Sequence, residues 1–311
     1  MDDEVRAAAA PRWTGAAGRL EVWYATLSDP VTHAAVWIHC ETVAPTDDGP
    51  PYAHGWATWF PPDGAPLTER FGPLPARPAA GTAWFEAGGV RVQPAGLTGR
   101  AGSLGWQLSW ADTAAPLWTF PRQAWERELL PGAQVVVAPT ADFTGSLAIG
   151  DSAHLVDGWR GALAHIYGHG NAKRWGWIHA DLGGGDVLEV VTAVSHKPGL
   201  RRLAPMAFLR FRIDGKDWPT SPLPSLRMRT TLGLPQWQLR GRIEDREVFI
   251  RVDQPAQRCV SLRYTDPDGA TAVCTNSEQA NIEVEISHRE HRTRVVEHSW
   301  SVLGHAEVGL R

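Results

Sequence analysis

The sequence predicts an all-β protein. Short apolar runs of strand length recur at roughly 8–12-residue spacing between turns rich in Gly, Pro and Asp. Helical periodicity is almost absent. Sixteen tryptophans outnumber the four tyrosines and eight phenylalanines together, and such rings supply the large apolar area that fills a β core. Many short strands at this spacing indicate a sandwich or barrel.

The elements follow in order. "RLEVWYATL", "SDPVTHA" and "AVWIHCETV" read as strand, turn and strand of a hairpin. "GWATWF" with "PPDG" is a strand and its turn, and "VRVQPA", "GWQLSWA", "QVVVAPTA" and "GSLAIG" continue the series. "TFPRQAWERELLPG" is the one helical candidate. Pro121 suits a first helical position, Trp125 and Leu129 stack at i, i+4, and Pro131-Gly132 stop it. The second half adds "GALAHIYG", "RWGWIHADL", "DVLEVVTAV", "APMAFLRFRID", "WQLRGRIE", "EVFIRVDQ", "RCVSLRYT", "ATAVCTNS", "ANIEVEIS" and "TRVVEHSWSVLG". The stretches "APTDDGPPYAHG", "FGPLPARPAAG" and "DGKDWPTSPLPSLRMRTT" are long connections of the kind that rim pockets.

Length and composition bound the rest. A chain of 311 residues, 43% hydrophobic and 21% charged, can bury a real core in two ordinary domains or one large barrel. A formal net charge of -4 argues against nucleic-acid binding and against electrostatic attachment to anionic membranes. "MDDEVRAAAAPRW" has no apolar signal region, and no apolar run approaches a span, so a cytoplasmic protein is expected. Cys40, Cys259 and Cys274 fit that compartment as free thiols. Gly269 in the left-handed position of the turn Asp266-Pro267-Asp268-Gly269 would set Leu262, not Cys259, opposite Cys274.

Trp177-Ile178-His179-Ala180-Asp181 echoes Trp37-Ile38-His39-Cys40-Glu41, 140 residues earlier. The offset suits two related β-domains, placed at 1–155 and 156–311. Alternation sends Trp175, Trp177, His179 and Asp181 to one face and Gly176, Ile178, Ala180 and Leu182 to the other. Neither is a solvent face, so the strand is buried on both sides and its His and Asp need hydrogen-bond partners. The loop Gly183-Gly184-Gly185 decides the face of Glu189. An odd loop turns it toward His179 and Asp181; an even one turns it toward Ala180. The second, with an edge arginine satisfying the carboxylate, is the expectation carried forward. Upstream, His165 and Tyr167 share one strand face, and His169 and Asn171 sit in a Gly-interrupted loop.

Three chemistries compete for these residues. His179-x-Asp181 matches half of a non-haem iron facial triad, with His288, His291, His298 or His305 as the distant third ligand. That reading ranks below a metal-free one, because a three-residue pattern recurs easily among twelve histidines. No compact Cys/His zinc pattern, nucleophile elbow or phosphate-binding glycine loop accompanies it.

"AHIYGHGNAKRWGWIHADL" resembles the central motif of the tocopherol cyclase and hydroxyneurosporene synthase (CrtC)-like, AttH-like group. "RYTDPDGATAVCTNSEQANIEVEI" is similar to its C-terminal hairpin. The resemblance implies two lipocalin-like antiparallel β-barrel or sandwich domains. It also implies a pocket for apolar polyene, isoprenoid or polyketide substrates, worked without metal or cofactor. The plant cyclases read E-K-N-W-G before the loop and K-W-x-W-x-Q after it. Here Trp175-x-Trp177 is kept, His179 stands for the glutamine, and Ala164 to Tyr167 replace the first stretch.

The function expected is therefore a cyclase- or isomerase-type enzyme. His179, Asp181 and His165 are the catalytic candidates. Tyr167, His169, Asn171, Trp175 and Trp177 are the ligand-binding candidates, the tryptophans stabilising positive charge by cation–π contact. The alternative is a non-catalytic binder or carrier of a hydrophobic ligand, using the same pocket.

Overall fold

The computed structural model describes residues 3–47, 49–111, 114–196, 199, 203–291 and 293–311. In chain order its elements are α1 (Asp3–Ala9), β1 (Arg19–Ser28), β2 (Ala35–Ala44), β3 (Tyr52–Phe60), β4 (Leu67–Pro75), β5 (Phe85–Ala87), β6 (Val90–Gln93), β7 (Gly96–Ala101), β8 (Leu104–Ala111), α2 (Arg122–Glu126), β9 (Gly132–Ile149) and β10 (Ser152–Gly168). They continue with β11 (Arg174–Gly183), β12 (Asp186–Val194), β13 (Met206–Ile213), β14 (Lys216–Trp218), β15 (Arg229–Thr231), β16 (Gln236–Ile243), β17 (Arg246–Asp253), β18 (Val260–Thr265), β19 (Thr271–Glu290) and β20 (Thr293–Leu310).

The strands form two ten-stranded antiparallel sheets. The first runs β4-β3-β2-β1-β10-β9-β8-β7-β6-β5 and the second β14-β13-β12-β11-β20-β19-β17-β16-β15, with β18 on β19. The chain divides into two compact units. One is Met1–Trp118, Arg122–Asn171 and Thr265–Thr271; the other is Thr119–Pro121, Ala172–Tyr264 and Ala272–Arg311. Among the described residues no helix is long and apolar enough to cross a membrane.

In the first unit, Asp29 makes the β1–β2 hairpin. Its carboxylate accepts from the Val31 amide at 2.9 Å and the Thr32 hydroxyl at 2.6 Å, the side-chain turn that Asp favours. Both strands are buried along almost their whole length, which is why they read as continuous apolar runs. Glu69 of β4 accepts from the Ser103 hydroxyl at 2.7 Å. Ser103 lies in the β7–β8 turn, so this bond draws the two ends of the sheet together toward a barrel.

In the second unit, Ile178, Ala180, Leu188, Val190, Leu209, Phe211, Trp237 and Ile250 share one core. The single turn Leu223–Arg227 seats a fully buried Ser225. Its hydroxyl donates to the Ala207 carbonyl at 3.1 Å and accepts from the Leu209 amide at 3.2 Å.

Three local expectations change. The helix 122–126 buries Trp125, but Glu128 takes φ 51° and Leu129 lies 63% exposed, so the Trp125–Leu129 stack does not form. Helix α1 adds a second short helix to the one expected. "ATAVCTNS" and "ANIEVEIS" are one strand, β19, broken only by a bulge between Ser277 and Ala280. A bulge and a turn carry similar residues, and only pairing tells them apart. The three cysteines are free, and Gly269 takes φ 78° in the Asp266–Gly269 turn, as expected.

Candidate functional site

The first unit contains a cavity of about 320 Å³ walled by Trp13, Trp23, Trp84 and Phe85, with Glu21 as its buried carboxylate. Strand alternation places Glu21 and Trp23 on the same face of β1. Glu21 is only 2% exposed and accepts from two backbone amides. Its Oε1 accepts from the Arg12 amide at 2.5 Å, and its Oε2 accepts from the Trp13 amide at 3.0 Å. Oε1 also lies 2.9 Å from Nε2 of His165. His165 sits across from Trp23 on β10 and stacks on its ring at 4.6 Å.

The hydrogen bonds of His165 count its protons. Its Nδ1 lies 2.9 Å from the Ala8 carbonyl oxygen. A carbonyl only accepts, so Nδ1 carries hydrogen. Nε2 faces a carboxyl oxygen, and a bond there needs one further proton, held on Nε2 or on Oε1. The pair therefore shares a proton between ring and carboxyl beside a cavity of mixed polar and aromatic lining.

The neighbouring candidates have partners of their own within this unit. Arg12 lays its guanidinium over Tyr167 at 4.9 Å and over Trp125 at 4.7 Å. Burial, with a contribution from Glu128, raises the Tyr167 hydroxyl above its usual range, so the group stays a donor. His169 Nδ1 accepts from Arg19 at 2.9 Å. Asn171 donates twice to Asp266 Oδ1, from its backbone amide at 3.0 Å and its side chain at 2.7 Å.

The second unit carries the β11 candidates. Trp175 donates to Glu307 at 2.6 Å. Glu189, fully buried, accepts from Trp177 Nε1 at 2.5 Å and faces His179 Nδ1 at 2.9 Å. His179 Nε2 is buried and has no partner among the described residues. His305 follows on the next strand, directly across from His179, with its Nδ1 2.6 Å from Glu278.

The carboxylate on the His179 face is thus Glu189, which corrects the placement opposite Ala180. The reason is a bulge. Gly183 pairs with Asp186 across a two-residue Gly184-Gly185 loop, the even count that would set Ala180 against Glu189. A register shift between Asp181 and Gly183 moves the pairing by one, so His179 meets Glu189 instead. Asp181 Oδ1 accepts from the Gly183 amide at 2.8 Å and braces that bulge. Among the described residues no three His, Cys, Asp or Glu gather as a metal site.

A further cluster in the first unit went unread. His39 stacks on Trp56 at 4.0 Å and approaches Glu41 at 3.3 Å, and His54 reaches the same carboxylate at 3.2 Å. Glu21, Glu41 and Glu189 share one sequence signal. Each is a lone carboxylate inside an apolar run, which a strand buried on both faces can hold only with partners.

The tocopherol cyclase-like family model matches residues 17–310. The chain belongs to the tocopherol cyclase-like family. Two uncharacterized Mycobacterium tuberculosis proteins, from strains CDC 1551 and H37Rv, are each 75% identical over the whole chain, which covers 92% of their length. Three solved structures share this tocopherol cyclase-like fold. CghA with Sch210972 matches at TM-score 0.57 and 16% identity, over 94% of this chain and 87% of its own. Kievitone hydratase from Nectria haematococca matches at TM-score 0.54 and 11% identity, over 97% and 90%. A Nitrosomonas europaea protein assigned to AttH matches at TM-score 0.54 and 15% identity, over 93% and 92%.

Proposed function

We propose that this member of the family is a cofactor-independent cyclase, isomerase or hydratase. Its substrate is an apolar, partly unsaturated small molecule of isoprenoid, polyene or polyketide type. The observation that carries the reading is the buried 2.9 Å contact between His165 and Glu21 at the wall of the tryptophan-lined cavity. Glu21 is the acid that touches the substrate, and His165 positions and recharges it. The proton adds to one carbon of a double bond. The cation that forms is faced by tryptophan rings. It is quenched by loss of a neighbouring proton, by attack of an internal nucleophile or by water, and the proton released in each case returns to the Glu21–His165 pair and restores the acid. His179, backed by Glu189 and with Nε2 open, is a second acid–base group, and Asp181 holds the bulge that pairs them. The cavity lies at the lower end of the roughly 300–1,000 Å³ usual for small-molecule sites.

The test is solvent deuterium. Native mass spectrometry of the purified protein identifies a bound ligand, which is then incubated with the protein in D2O. Turnover with deuterium on carbon is expected, and Glu21→Gln should lower the rate by about 10²–10⁴-fold, the usual worth of a general acid. His165→Gln should shift the pH profile as well as the rate. Full activity in Glu21→Gln would remove the assignment. The carrier reading draws on the same bonds, since Glu21 also anchors residues 12 and 13 over β1. A ligand that co-purifies and is never converted would select it.

A further inference from the structure

The second unit carries an unneutralised cluster of arginines on the outer face of β15 and β16 and at the end of the turn that precedes them. Two Arg-x-Arg runs, Arg227-Met228-Arg229 and Arg240-Gly241-Arg242, supply it. Arg229 and Arg240 stand directly opposite each other across the two strands. Alternation puts Arg242 on the same face as Arg240, while Met228, between the other two, is buried in the core. The four, with Arg294, line a cleft of about 490 Å³ that also holds Glu247.

The charges in this cleft do not cancel. Arg294 is taken by Glu285, and Glu247 is taken by Arg289 at 3.1 Å. Arg242 uses its Nε on the Glu244 carbonyl at 3.1 Å. Arg227, Arg229, Arg240 and Arg242 have no carboxylate partner among the described residues, in a chain whose net charge is -4. Like charges placed directly opposite in a sheet destabilise it. Arg229, Arg240 and Arg242 stand on one short hairpin and Arg227 closes the turn just before it, a concentration of positive charge that an anion would relieve.

We propose that this cleft binds a phosphate-bearing polyanion of the diphosphate class. The guanidinium fork matches phosphate oxygens two at a time, and two pairs of forks match two phosphate groups. The site is separate from the Glu21 cavity and does not depend on the reaction proposed for it. The same chemistry is offered by a soluble diphosphate and by the headgroups of an anionic lipid surface.

Calorimetry of the full chain with inorganic diphosphate at low salt tests the proposal, beside sedimentation with phosphatidylglycerol vesicles. Saturable binding that weakens with salt is expected. In Arg229→Gln/Arg240→Gln the affinity should fall about tenfold or more, equivalent to at least about 1.4 kcal/mol. Without any anion the same variant should melt no lower than the wild type, because it loses only repulsion. Arginine-dependent binding to vesicles but not to free diphosphate assigns the site to lipid headgroups. No binding to either, or binding that survives the double substitution, overturns the proposal.

Discussion

Glu41 shows how a single buried carboxylate can stay ionised. Burial alone would raise its carboxyl, but hydrogen bonds from His39 and His54, together with their charges, outweigh that and hold it at about 2, against an ordinary 4.5. The sign of the linkage follows. A carboxyl depressed by folding contributes stability that is fully present above its unfolded value and is lost as pH falls through its folded one. We expect urea-unfolding stability to drop between about pH 4.5 and pH 2, and Glu41→Gln to show a smaller drop over that window. An identical acid profile in the variant would mean that the two histidines do not engage Glu41. His165 and Glu21 form a different arrangement. There both ring nitrogens face oxygens, one of the Ala8 carbonyl and one of the Glu21 carboxyl.

At the scale of strands, close approach and register decide what the side chains meet. Gly309 of β20 lies beneath Trp175. A Cβ there would come within 2.0 Å of the indole ring, so Gly309→Ala must push the ring off its bond to Glu307. Overpacking of this kind costs about 1–3 kcal/mol. A lower denaturation midpoint with altered tryptophan emission is the expected result, and an unchanged midpoint would show that the ring moves freely. Much of this scale was legible in the sequence. The β1–β2 hairpin, the turn at Asp266–Gly269 and the faces of β11 all follow from alternation and turn chemistry, which are local. The face of Glu189 was not legible, because one bulged residue reverses it and nothing in the local pattern distinguishes a bulged strand from a regular one. Glu21 was hidden for another reason. Its partners come from β10 and from the segment before β1, and that convergence exists only after pairing.

On the scale of the whole molecule, the two compact units are interleaved along the chain. The turn Thr265–Thr271 belongs to the first unit although the strands on either side belong to the second. There Asp266 receives both bonds from Asn171, and the Pro267 carbonyl accepts from the Thr46 amide at 2.8 Å. Asp266→Ala should therefore speed hydrogen exchange at the amides of Asn171 and Thr46, far away in sequence. Protection unchanged at both would remove the turn from the first unit's framework. The echo between Trp37–Glu41 and Trp177–Asp181 also has meaning at this scale. β2 lies between β3 and β1, third from the edge of its sheet, and β11 lies between β12 and β20, fourth from the edge of its own, so each motif sits on an interior strand. That arrangement bears on how the protein is made. β1 finds β10 once residue 168 has been made, but β11 pairs with β20, a strand translated more than a hundred residues after it at about 5–20 residues per second. For those seconds the nascent chain carries Trp175, Trp177 and His179 on an open strand edge, a period in which chaperones or aggregation can compete for it.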